Sequence, residues 1–170
     1  MDYFTRLHEN GIRTLEPFSN EDVGAGLWAL YSSASQLCPP FHVVSRSDLH
    51  RAIRAVGTFV AETMPQRLAL DVEDRIYSAV YMFWDLVPIW PHRAGPFEAE
   101  DRCVCIEEMA RCLRVDHPLA RYHALHGLGH FELIAGNKAT RVIDDWLTSE
   151  PAIDPTLTEY ANLARMGNVR

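Results

Sequence analysis

A chain of 170 residues is long enough for one domain and short for two. Its composition, 48% hydrophobic and 23% charged, is that of a globular protein able to bury a real core. A net charge of −7, with Lys138 the only lysine, excludes nucleic-acid backbone as the main partner, because phosphate binding wants clustered Lys and Arg. Ordinary solubility accounts for the acidity, with an acidic surface that suits a basic partner as the alternative. Residues 1–10 are polar and charged, not the start of a signal peptide, and no apolar run approaches membrane-spanning length. The expectation is one domain over 1–170, in the cytoplasm, with no membrane partner.

Helical periodicity and capping residues recur along the chain, and no run alternates as a strand does. A first helix is expected over 2–10, stopping at Gly11. A second begins after Ser19 or Asn20, carries Val23, Leu27, Leu30 and Ala34, and ends before Pro39 and Pro40. A third starts near Ser47, with Leu49, Ile53, Val56 and Val60 on one face, and stops before Pro65. Asp71 caps a fourth, with Ile76, Ala79, Val80, Phe83 and Val87 as its apolar stripe and Pro88 as its end. Along its flank run Tyr77, Tyr81, Trp84 and Asp85, which read as aromatic packing.

Residues 88–97, PIWPHRAGPF, form a loop with three prolines and a glycine. Its Trp90, His92 and Arg93 are candidate partner-binding residues, since interface hot spots favour Trp and Arg; the alternative is that Trp90 plugs one end of the helices. The next helix, about 98 to 115, buries Cys105, Ile106, Met109, Cys112 and Leu113. With Cys38 and Cys103 these make four cysteines and no CxxC pair, a pattern of reduced thiols. Asp116 or His117 caps a helix with Pro118 near its start, where a missing N–H is harmless. That helix carries HALHGLGH, residues 123–130, and ends at Gly136 and Asn137. A shorter helix over 138–147 follows, and Asp154 and Pro155 open a last one through Leu157, Ala161 and Ala164.

At about 100° per residue, His123, His126 and His130 fall within about 60° of one helix face, among Leu119, Leu133 and Ile134. Arg121 and Glu132 lie on the other side, so Glu132 cannot join the histidines. The leading reading is structural. Gly127 and Gly129 each cost up to about 1 kcal/mol against Ala in a helix, so a close interhelical approach must be the reason for them. Inward histidines beside them then bond across that seam, made by His126, Gly127, Gly129 and His130. The alternative is a metal site on His126 and His130, with or without His123, completed by a carboxylate or thiolate from another helix. The HxxxH spacing suits a metal, but no Glu stands between the histidines as in HExxH.

Starts of alternate helices are offset by about 40 to 45 residues, the period of HEAT-like helical pairs. The expected architecture is all-α, a HEAT-like α-hairpin stack or short α-solenoid of about 7–8 helices, with an irregular bundle as the alternative. The run YMFWDLVPIWP, then ALHGLGH, then VIDDWL, resembles a group of uncharacterised bacterial HEAT-like proteins. The resemblance covers about 70–150. It implies an α-hairpin fold and no activity to transfer, and points toward immunity-type or other partner-neutralising proteins. In that group small polar or acidic residues precede Ala-Leu-His, whereas here Tyr122 and His123 do. His123 therefore lies outside the shared pattern. The functional expectation is a non-enzymatic module binding another protein, with no cofactor; the rival is a metal-dependent enzyme or metal-binding protein using His126 and His130.

Overall fold

A computed structural model describes residues 1–32, 34–38, 44–68, 75–86, 99–135, 137–150 and 153–169, apart from the side chain of Leu133. Every regular element among them is helical. In chain order these are α1 (Asp2–Glu9), α2 (Gly11–Leu15), α3 (Asn20–Tyr31), α4 (Arg46–Thr58), a π-helical turn (Phe59–Thr63), α5 (Met64–Arg67), α6 (Arg75–Tyr81), α7 (Phe83–Leu86), α8 (Ala99–Leu113), α9 (Pro118–Ala135), α10 (Asn137–Ser149) and α11 (Pro155–Ala164). None is long and apolar enough to cross a membrane.

Side-chain caps fix several starts by satisfying N–H groups that the first turn leaves without a helical partner. Ser19 Oγ accepts from the Asp22 N–H at 3.1 Å, and Ser45 Oγ from the Asp48 N–H at 3.2 Å. Asp154 accepts from the N–H groups of Thr156 and Leu157, and Pro155 follows it at the first helical position. Pro118 opens α9 in the same way.

Two sequence expectations are corrected. The second helix does not run on through Ala34 but ends at Tyr31, where Ser32 turns to an extended conformation. The first helix stops before Gly11 as expected, and Gly11 begins α2, its bare Cα letting Phe59 and Thr63 close in; a Cβ there would sit 2.6 Å from the Phe59 ring. The third helix does not stop before Pro65. It passes through the π-helical turn into α5, whose first turn holds Pro65 where no N–H is required.

The core runs through the whole described chain and includes Phe4, Leu27, Tyr31, Ile53, Phe59, Met64, Ile76, Phe83, Met109, Leu113, Leu125 and Phe131. At its centre α9 packs against α6, α7, α8, α10 and α11. Leu119, Ala120, Ala124, Leu125 and Leu128 are fully buried, and His123, His126, Gly127, Gly129 and Phe131 are buried among them. A helix enclosed on most sides has little need of a polar face, and α9 carries charge only at Arg121 and Glu132. Arg121 reaches Asp116 and Glu150 at 3.4 and 3.8 Å.

Candidate metal centre

The site begins with a break between α6 and α7. A turn at Met82 separates α6 from α7, and the Asp85 N–H bonds only three residues back, to the Met82 carbonyl at 3.0 Å. Tyr77, Tyr81 and Asp85 follow one another at four-residue intervals, and this row faces α9 and α11.

On α9, His126 and His130 stand one turn apart, and both turn an Nε2 atom to the Asp85 carboxylate. His126 Nε2 lies 2.6 Å from Asp85 Oδ2, and His130 Nε2 lies 3.0 Å from Oδ1. The two Nε2 atoms are 3.2 Å apart, with the rings edge-on at 87°. Each of the three residues offers one ligand atom, and these atoms all lie within 4.8 Å of one another. The far side of His126 is held as well: its Nδ1 is 2.8 Å from the Tyr160 hydroxyl, which is 2.6 Å from the Tyr81 hydroxyl. The Tyr81 ring lies over the His126 ring at a centroid distance of 4.3 Å.

An ionised carboxylate only accepts, so both imidazoles donate Nε2–H to Asp85. His126 Nδ1 then accepts the Tyr160 O–H, and Tyr160 in turn accepts the Tyr81 O–H. Each ring is neutral in this arrangement. Burial holds the pKa of both histidines below the ordinary value, outweighing the Asp85 carboxylate that pulls it up. Burial likewise raises the Tyr160 pKa, so its phenol keeps its proton. Neutral imidazole ligates a metal through its unprotonated nitrogen, so ligation through Nε2 would require the ring protons to sit on Nδ1.

His123 points elsewhere. Its Nδ1–H donates to the Val80 carbonyl at 2.7 Å, and its Nε2 accepts the Trp84 indole N–H at 3.2 Å. Both ring nitrogens are therefore committed to the core.

The two glycines lie at tight contacts. A Cβ on Gly127 would collide with the Met109 sulfur and come within 2.5 Å of Trp84 Nε1; one on Gly129 would come within 2.5 Å of Val169. Trp90, His92 and Arg93 lie outside the described residues, as do the expected cap Asp71 and the helix-ending Val87 and Pro88.

The carboxylate that faces His126 and His130 is Asp85. Sequence reasoning assigned it to aromatic packing, although its four-residue register with Tyr77 and Tyr81 put it on their face. Tyr160 carries no such signal, because it arrives from α11, 34 residues beyond His126.

No family model matches the chain, and no curated protein and no solved structure is significantly similar to it.

Proposed function

We propose that this protein binds a divalent transition-metal ion through His126, His130 and Asp85. The observation that carries the proposal is the convergence of two imidazole nitrogens and a carboxylate on one point. Ligands about 2.0 to 2.1 Å from a zinc ion stand about 2.8 to 3.4 Å from one another at octahedral or tetrahedral angles. The Nε2 pair at 3.2 Å and the His130–Asp85 pair at 3.0 Å already meet that spacing. The His126–Asp85 pair, at 2.6 Å, has to open by about 0.2 to 0.8 Å. Two imidazoles and one carboxylate suit zinc, and they are also the donor set of non-haem iron(II) sites. With an ion on Nε2, His126 would carry its proton on Nδ1 and donate it to the Tyr160 oxygen, so Tyr160 would support the site by orienting the ring, as partners of metal-bound histidines generally do.

The test is calorimetric titration of the untagged chain with zinc and, under anaerobic conditions, with iron(II). One ion per chain is expected, with the heat lost in Asp85→Asn and in His130→Ala. Absence of binding by the wild-type chain overturns the proposal.

A second reading is a protein-binding module of the HEAT-like type, working in the cytoplasm as an immunity-type or other partner-neutralising protein. The observation favouring it is an apolar groove of about 300 Å³ lined by Leu7, Leu15, Val23, Leu27 and Leu30, with Tyr3, Phe18 and Leu37 more than half exposed at its edge. A partner protecting the α1–α3 amides from hydrogen exchange supports that reading; unaltered exchange at those amides counts against it.

A further inference from the structure

We infer that the proposed ion keeps coordination positions open on the solvent side and takes an exogenous oxyanion there, which makes the centre a reactive metal site and not a structural clip. This rests on the metal reading given above.

Three observations lead to it. The first is the uneven burial of the donors: the His126 side chain is 1% exposed, whereas His130 and Asp85 are 27% and 32% exposed. The buried side of the triangle is closed by Tyr81 and Tyr160, and the other side meets solvent. The second is the number of ligands. Among the described residues, no fourth His, Cys, Asp or Glu atom joins the three. Structural zinc is closed by four protein ligands, while reactive zinc has three and a water. The third is charge. Two neutral imidazoles and one carboxylate leave a divalent ion with a net charge of about +1, which favours an anionic oxygen ligand at the vacant positions. Asp85 is spent as a ligand and Tyr160 as the partner of His126, so neither competes for those positions.

Cobalt(II) makes the coordination visible where zinc is silent. The full wild-type chain is loaded with one equivalent of cobalt(II) and titrated with acetohydroxamate, which binds metals through two oxygens. A saturable change in the visible bands, with cobalt retained through dialysis, is the expected result, since geometry follows ligand number. Unchanged bands with cobalt still bound overturn the open site while leaving the metal reading intact. Cobalt lost to the hydroxamate overturns it too, because the ion then prefers to leave than to add a ligand. Failure of cobalt, zinc and iron(II) alike to bind overturns both readings together.

Discussion

Trp84 donates its indole N–H to His123 Nε2, and His123 donates Nδ1–H to the Val80 carbonyl, so this imidazole is locked as a neutral tautomer in the core. One turn further along α9 the same residue type faces Asp85 instead. Three histidines on one helix face thus divide into one packing group and two candidate ligands. Periodicity cannot make that division, because the deciding groups belong to α6, α7 and α11.

The locked imidazoles make stability fall in acid. Burial lowers the pKa of His123 to about 4, and the pKa of His8, enclosed between the Phe4 carbonyl and the Tyr31 hydroxyl, also to about 4. In the unfolded chain each titrates near 6.5. Below about pH 6.5 the unfolded chain binds protons that the folded one refuses, so stability is lost as pH falls from about 6.5 to about 4 and levels off below that. Each ring accounts for on the order of 3 kcal/mol over the window. His126 and His130 are shifted in the same direction and add to the slope. Thermal melts from pH 7.5 to pH 4 should show this fall, and His123→Gln should flatten it. A melting temperature level across the window contradicts the enclosure of both rings.

Tyr160→Phe is expected to weaken zinc binding by about 10- to 100-fold, since it removes the bond that orients His126. The accompanying loss of stability should be about 1–3 kcal/mol, the cost of leaving the His126 ring nitrogen and the Tyr81 hydroxyl without this partner. Competition against a chromophoric chelator gives the affinity, and a melt gives the stability. Equal affinities in the two proteins remove Tyr160 from the site.

The glycines of the helices should respond with opposite signs. Gly127→Ala drives a methyl group into Met109 and Trp84 and is expected to cost about 1–3 kcal/mol. Gly129→Ala meets the Val169 side chain at 2.5 Å and the Ala164 Cα at 3.2 Å and should also be destabilising, and Gly129→Leu overpacks severely. Gly26, on α3, has nothing within 4 Å of its would-be Cβ, so Gly26→Ala should stabilise by about 0.5–1 kcal/mol. Urea denaturation of the four variants ranks them.

Asp101 ties α8 to α4 while only 2% exposed: it lies 2.7 Å from His50 Nε2 and 3.3 Å from Arg46 Nε. Asp101→Ala leaves these donors without the carboxylate and should cost about 2–4 kcal/mol, with Asp101→Asn milder. Equal melting temperatures for wild type and Asp101→Ala would show that the junction is solvated.

The helices, their caps at Ser19 and Asp154, and the inward face of α9 were legible in the sequence because each is a local property of spacing. The buried set Cys105, Ile106, Met109, Cys112 and Leu113 followed from period 3.6 alone. Local spacing also rejected Glu132. It could not supply Asp85 or Tyr160, which are brought to His126 by tertiary packing across 41 and 34 residues. Pro65 misled for the opposite reason: a proline usually ends a helix, but the π-helical turn before it resets the register.

The candidate ligands also have a topological consequence. Asp85 and His126 are 41 residues apart in the chain, so a shared ion turns that stretch into a closed loop. Closure removes freedom from the unfolded chain, and an ion that binds only the folded form adds stability with the logarithm of its concentration, about 2.7 kcal/mol at a hundred times the dissociation constant. Occupancy would then add, beside any reactivity, a detachable cross-link between α7 and α9. The four-residue α7, already held by the buried Phe83 and Trp84, would gain a second anchorage that depends on the metal supply.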